Sequence, residues 1–138
     1  MDNKELRTLL KKISKLARSN KIKWTSSSEN PFDIWESRGV LKGKKDDLEI
    51  EIKYTWIGSF SLVTKVFHEV KINSGSQTVS LEYDFIRDTG IEPLVEDIYD
   101  IGTDIIVAEW KREKNERARE KIEQEKSVYQ DISGRLPV

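Results

Sequence analysis

Cysteine is absent from the 138-residue sequence, and histidine occurs once, at His68. The first absence excludes disulfides, thiolate nucleophiles and cysteine-ligated zinc. Glycines are scattered singly, which argues against a glycine-rich phosphate loop. The longest apolar run has four residues, at 105–108, against the ~20 that a membrane-spanning helix needs. Since the first residues also lack an apolar signal segment, we expect a cytoplasmic protein without membrane segment, cofactor or bound metal.

Charge is abundant but balanced. Charged and hydrophobic residues each make up 36% of the chain, and the net charge is −1. Such a balance gives no bulk attraction to nucleic acid or to an anionic membrane. The length is common for one domain. We therefore predict a single domain over residues 1–129, followed by a tail at 130–138.

The N-terminal part of the chain predicts one helix and two short strands. Residues 2–19 place apolar side chains at helical spacing, with Asp2 as the N-cap and Glu5 three positions later. Residues 21–25 and 32–42 are predicted strands, separated by a polar loop that ends at a proline.

Alternation of apolar and polar residues over 47–86 predicts an antiparallel sheet with one solvated face. We expect a turn at 57–59 and a hairpin at 73–76. The stretch 59–72 also fits helical spacing, but its β-branched residues and the following hairpin favour a strand. The last predicted strand carries its apolar side chains at Val79, Leu81, Tyr83 and Phe85.

A long C-terminal helix follows. Thr89 and Glu92 have the spacing of a capping box. Beyond them, apolar residues repeat every three or four positions at Leu94, Ile98, Ile101, Ile105 and Ala108. After Trp110 this spacing stops, and residues 111–126 are almost all charged, so we expect the helix to project into solvent. The predicted architecture is α+β: a largely antiparallel, four- to five-stranded curved sheet with an N-terminal helix and a long C-terminal helix.

Three residues resemble an enzyme signature. Asp33, followed by Glu51 and Lys53 on a strand, is similar to the PD-(D/E)xK nuclease motif. The resemblance implies that the two carboxylates hold Mg²⁺ and that the lysine orients the attacking water. Its core order requires residues 59–72 to be helical. The alternative is that Glu51 and Lys53 belong to the solvated face of the sheet.

The N-terminal helix is basic. Residues 1–24 carry eight Lys or Arg against two acids, and residues 82–109 carry nine acids against one Arg. A nucleic-acid-binding helix would use Lys11, Lys12, Lys15 and Arg18. The alternatives are that both surfaces are only solvated, or that they face each other across the fold.

Aromatic residues provide the candidates for protein contacts. The sequence pattern does not assign Trp35 and Trp110 to the core, and exposed tryptophans are enriched at interfaces. Alternation places Phe67 on the polar side of its strand and His68 on the apolar side. We favour a non-enzymatic protein that acts through protein–protein contacts at Trp110, Trp35 and Phe67.

Composition gives a hint of origin and of assembly. Abundant Lys, Ile, Glu and Asn suggest an AT-rich bacterial or phage genome, and a small phage accessory or inhibitor protein or a bacterial adaptor would fit. A homodimer through the long helix is a further option. The residues of this helix beyond position 108 are too polar for a strong coiled coil.

Overall fold

The computed structural model describes residues 1–27, 38–59 and 62–137 of the chain. The elements follow in chain order: α1 (Asn3–Arg18), β1 (Lys23–Ser26), β2 (Arg38–Lys45), β3 (Leu48–Ser59), β4 (Leu62–Ser74), β5 (Gln77–Glu82), α2 (Tyr83–Asp88) and α3 (Glu92–Arg135). Of the strand predicted at 32–42, residues 38–42 are described, and they lie in β2.

The five strands form one open, curved sheet in which neighbours in sequence are neighbours in space. Every pair is antiparallel, and the order is β1-β2-β3-β4-β5. Tight turns join the strands at Asp46 and at Gly75, which both have positive φ. The α+β architecture predicted from the sequence is confirmed, with an N-terminal and a long C-terminal helix.

The ambiguous stretch 59–72 is extended. Residues from Leu62 to Ser74 form β4, and the hairpin predicted at 73–76 joins it to β5. The turn predicted at 57–59 is wrong, because β3 continues through Ser59. β-Branched residues therefore decide this stretch in favour of the strand.

A β-bulge divides β4 into two parts with opposite side-chain parity. Lys53 pairs with Glu69, but the next residue, Tyr54, pairs with Phe67, so His68 is an extra residue without a cross-strand partner. As a result, Phe67 points into the core and is 2% exposed, whereas His68 is exposed. The predicted faces of these two residues are both wrong, because one inserted residue flips the alternation.

The last strand is shorter than predicted. β5 ends at Glu82, and Tyr83 to Asp88 form the short helix α2, in which Tyr83 and Phe85 are exposed. The final pair of the ladder joins Glu82 to Glu69, immediately beside the bulge at His68. The bulge thus ends the pairing that would have continued the strand.

The helix starts agree only in part with the sequence signals. The Asp2 carboxylate accepts a hydrogen bond from the Glu5 amide at 2.8 Å, as expected of an N-cap. Thr89, in contrast, closes α2, where its hydroxyl donates to the Phe85 carbonyl. The capping box predicted at Thr89 and Glu92 is therefore wrong.

The core lies between one face of the sheet and the two longer helices. The Trp24 ring occupies the place where β2 and α3 come close: a Cβ added at Gly43 or at Gly102 would meet that ring within 2.6–2.7 Å. Nearby, the Tyr99 ring of α3 contacts Tyr54 and Phe67 edge to face, at centroid distances of 4.8 and 5.6 Å. The sheet face with Ile52 and Val70 is fully buried here.

The chain forms two compact units, Met1–Val107 and Ala108–Val138. The first, which we call the body, contains the whole core cluster. In the second, every residue from 111 to 137 is exposed. Since α3 ends at Arg135, most of the tail predicted at 130–138 is helical.

Candidate functional site

Glu51 and Lys53 lie on the face of the sheet that carries polar residues. The Lys53 Nζ is 4.0 Å from a Glu51 carboxylate oxygen and 3.4 Å from a Glu69 oxygen. Lys71 reaches the same Glu69 oxygen at 3.4 Å. Burial raises the pKa of Glu69, but the two lysines together lower it by more than burial raises it. The net pKa of Glu69 therefore lies below its usual value. These residues therefore form a lattice of surface ion pairs.

The nuclease resemblance is not supported by the order of the elements. Its core needs a helix where the chain has the strand β4. Asp33, the other proposed ligand, lies outside the described residues. Within the described ranges, no group of three or more His, Asp or Glu side chains could hold a metal ion. The arrangement around Glu51 and Lys53 matches the alternative interpretation, a solvated sheet face.

His68 lies on the same open face because of the bulge. Its Nε2 is within hydrogen-bonding distance of the Thr55 hydroxyl. His68 lines a shallow groove together with Arg38 and Lys53. The sequence placed His68 in the core, so it could not predict this contact.

The basic helix α1 divides into structural and free charges. The Arg18 guanidinium contacts both Asp97 oxygens at 2.8 and 2.9 Å, and Ser14 donates to the same carboxylate. Arg18 therefore joins α1 to α3. Lys11, Lys12 and Lys15 are exposed, and the described part of the chain offers them no ion pair. The basic and acidic segments also meet where the Arg7 guanidinium donates to the Thr89 carbonyl at 2.8 Å.

Lys65 is a partly buried charge that the sequence analysis missed. Its Nζ is 2.7 Å from Asp100 and 3.4 Å from Glu96, and it stands 4.7 Å from the Tyr99 ring centroid. Burial lowers the pKa of Lys65, but Asp100 and Glu96 outweigh burial, so the net pKa is raised. Because the bulge turns Lys65 toward α3, no parity argument could have found it.

The predicted aromatic contact residues have different fates. Phe67 is covered by the chain's own Tyr99, so it offers no accessible surface. Trp35 lies outside the described residues. Trp110 is half-buried, with the Lys114 ammonium 5.0 Å from its ring centroid. Of the three, Trp110 alone stays a described candidate.

Exposed apolar residues are concentrated in the second unit. Five of the nine large hydrophobic side chains that are exposed in the described part of the chain lie near the C-terminus. We call them the terminal stripe: Ile122, Val128, Tyr129, Ile132 and Leu136. Tyr129 is 70% exposed and Ile132 is 54% exposed.

The terminal stripe follows coiled-coil spacing. Starting at Ile122, steps of three and four residues lead through Glu125, Tyr129 and Ile132 to Leu136, with Val128 beside Tyr129. These are successive a and d positions of a heptad. Stepping back from Ile122 in the same way leads to Ala108, where the spacing predicted from Leu94 ends. Between Trp110 and Ile122 the stepped positions are Lys111, Asn115 and Ala118, so the apolar spacing stops as expected after Trp110 and begins again at Ile122.

Charges are sorted around the terminal stripe. With Ile122 and Tyr129 at position a, every charged residue at positions e and g of 112–135 is basic. These six basic flanks are Arg112, Lys114, Arg119, Lys121, Lys126 and Arg135. Acids occupy the opposite side of the helix, at Glu113, Glu116, Glu120, Glu123 and Asp131. Two residues break this order: Arg117 lies on the acidic side, and Glu125 lies at a d position within the stripe.

No helix of the described ranges is both long enough and apolar enough to cross a membrane. Comparison with family models, with curated proteins and with solved structures finds no match to this chain.

Proposed function

We propose that this protein is a non-enzymatic binding protein that holds a protein partner through the terminal stripe of α3. The observation that carries the proposal is the group of five exposed apolar side chains at coiled-coil spacing. Exposed apolar residues that are grouped and bordered by charge mark interaction sites more often than scattered ones do. An amphipathic helix of this kind is a recurring recognition element.

The size of the terminal stripe is consistent with a specific but moderate affinity. Complete burial of an aliphatic or aromatic side chain contributes roughly 1.5–3 kcal/mol. Five of them together would contribute roughly 8–15 kcal/mol, against an association cost of about 4–15 kcal/mol. A partner therefore has to cover most of the stripe, and charge contacts at the flanks would add specificity.

In this proposal the body and the terminal helix have different roles. The body has a packed core, whereas the part of α3 in the second unit provides the contact. A protein with such a contact surface is suited to act as an adaptor or as an inhibitor. Its amino-acid composition, which suggests an AT-rich genome, fits a bacterial or phage origin. Trp110 is a secondary contact candidate at the start of the same unit.

The test is an affinity pull-down from lysate of the source organism with matched baits. One bait carries Ile122→Asp and Ile132→Asp in the stripe. Its control carries Gln124→Asp and Gln130→Asp, which add the same two charges at exposed positions off the stripe. We expect a stoichiometric protein that survives nuclease treatment and that the stripe variant alone loses. Capture of the same protein by both variants would refute the proposal.

A second candidate function is nucleic-acid binding through α1. It is favoured by Lys11, Lys12 and Lys15, which are exposed and lack ion pairs within the described ranges. Binding of this kind weakens steeply with salt. Reversal of all three charges should abolish retention on DNA at low salt, and unchanged retention would exclude this candidate.

A further inference from the structure

We infer that the partner segment is an amphipathic helix whose apolar face is bordered by Asp or Glu and carries one Lys or Arg at its centre. The inference rests on the proposed function, because it names the chemistry of the partner at the terminal stripe. It is carried by the order of the charges around the stripe and does not depend on the apolar residues alone.

The shape of the stripe favours a helix as the occupant. From Ile122 to Leu136 the apolar residues follow a and d positions, with Val128 at one side. Such a seam is narrow and about 21 Å long at 1.5 Å per residue. Knobs-into-holes packing of a second helix covers a seam of this width.

The flanks select the sign of the partner's charge. Positions e and g border the interface in a coiled coil and determine which helices pair. Here all six charged flanks between Arg112 and Arg135 are Lys or Arg, and each is exposed. Lys121, Lys126 and Arg135 border the stripe itself, and the other three precede it along the same helix. An acidic border on the partner would therefore meet basic residues on both sides of the seam.

The same flanks exclude a second copy of this chain as the occupant. In a parallel pair, g residues meet e residues of the other helix, so Lys121 would meet Lys126. In an antiparallel pair, e meets e and g meets g, and both sets are basic. Like charges across an interface are unfavourable in either direction.

Glu125 refines the choice further. Its carboxylate is 4.0 Å from the exposed Lys121 ammonium, a long surface pair that contributes little. It lies at a d position between Ile122 and Tyr129, so an occupant would take this carboxylate out of water. An unpaired buried charge is strongly unfavourable, whereas a facing Lys or Arg compensates it. A lipid surface offers no such fixed partner at that depth. Glu125 therefore favours a protein with a basic residue at the centre of its apolar face.

The experiment uses the full-length chain and three labelled 21-residue peptides, with binding followed by fluorescence anisotropy. Each peptide has Leu and Ile at its a and d positions. The first has Glu at e and g and one Lys at the central core position. The second has Lys at e and g with the same core. The third has the acidic flanks with Glu in place of the core Lys.

The first peptide should bind at least about tenfold tighter than the second, because several surface ion pairs each contribute a small factor. Its affinity should fall as salt rises, since these pairs are exposed. The Ile122→Asp, Ile132→Asp variant should lose it, and the Gln124→Asp, Gln130→Asp variant should keep it. The variant Glu125→Lys should reverse the preference, so that the third peptide binds better than the first.

Three results would overturn the inference. The first is equal affinity for acidic and basic peptides, or no binding of either. The second is stripe-dependent binding to vesicles of phosphatidylserine and phosphatidylcholine in place of the peptides. The third is a dimer of the protein alone in sedimentation at micromolar concentration.

Failure of this inference and failure of the proposed function are distinguishable. If lysate capture depends on the stripe but the acidic peptide has no advantage, the partner chemistry is wrong and the binding function stands. If the stripe variant captures the same protein as its control, the function itself is refuted, whatever the peptides do.

Discussion

One helix, α3, contains two stretches with the same apolar spacing and opposite environments. In the body, Ile98 is 0% exposed and packs into the core cluster. In the second unit, another isoleucine, Ile132, lies on a row of apolar residues with three-four spacing and is 54% exposed. The comparison shows that spacing determines where apolar side chains can meet a partner. Burial then depends on whether the chain itself supplies that partner.

The difference explains why we assign structure to one stretch and contact to the other. The body has sheet residues such as Ile52 and Val70 to cover its seam. The described residues of the second unit form only the end of a helix, and a single helix cannot cover its own apolar face. In our proposal, a protein partner covers this seam.

The largest expected effect comes from making the same substitution in both stretches. Ile98→Ala should lower the free energy of unfolding by about 2–5 kcal/mol, because it leaves a cavity in the core. Ile132→Ala should lower it by less than about 0.5 kcal/mol, because the side chain is exposed. Urea unfolding followed by tryptophan fluorescence measures both. Similar losses at the two positions would contradict the division into a packed body and an uncovered stripe.

A pair of glycine substitutions should act with opposite signs. At Gly102 the new methyl group would lie 2.7 Å from the Trp24 ring, so Gly102→Ala should lower the free energy of unfolding by about 1–3 kcal/mol. At Gly134 nothing lies within 4 Å, and Gly134→Ala should stabilise the local helix by up to about 1 kcal/mol. Urea unfolding and far-UV circular dichroism report the two effects. A stabilising Gly102→Ala would show that α3 does not approach Trp24 closely.

The smallest expected effect sharpens the electrostatics of the body. The pKa values of Lys65 and Tyr99 are both raised in the folded protein. The two groups therefore stabilise the fold at pH values below their unfolded pKa values. This contribution is lost as the pH rises through the folded pKa values. The loss should set in above about pH 10. Lys65→Met should make the decline of the free energy of unfolding with pH shallower. At neutral pH it should change this free energy by about 1 kcal/mol. Parallel unfolding curves of the two proteins from pH 8 to 11 would contradict this role of Lys65.

Much of the fold could be predicted because local patterns agree with the tertiary structure. Alternation in β3 and β4, the hairpin at Gly75 and the Asp2 cap each depend on a few neighbouring residues. The bulge at His68 was not predicted, because the alternation was read in one phase along the whole strand, although Phe67 lies out of that phase. Its consequences were missed with it: the burial of Phe67, the position of Lys65 and the early end of β5.

The candidate site could have been found from the sequence, since its signal is one of spacing. New three-four steps from Ala108 through Lys111 and Asn115 lead to the terminal stripe. The polar residues between Ala108 and Ile122 hid the pattern, because they occupy a and d positions where apolar residues are expected. Which of the two stretches is buried needed the structure, because burial depends on the sheet that covers only one of them.

The most direct test of the central claim is site-specific photocrosslinking in cells of the source organism. Benzoylphenylalanine in place of Tyr129 reports on the terminal stripe. Benzoylphenylalanine in place of Glu120 reports on the opposite side of the helix, and in place of Lys42 it reports on the open sheet face. We predict one discrete crosslinked protein from position 129 and none from the other two. A crosslink from position 42 or 120, with none from 129, would contradict the proposal that the terminal stripe is the binding surface.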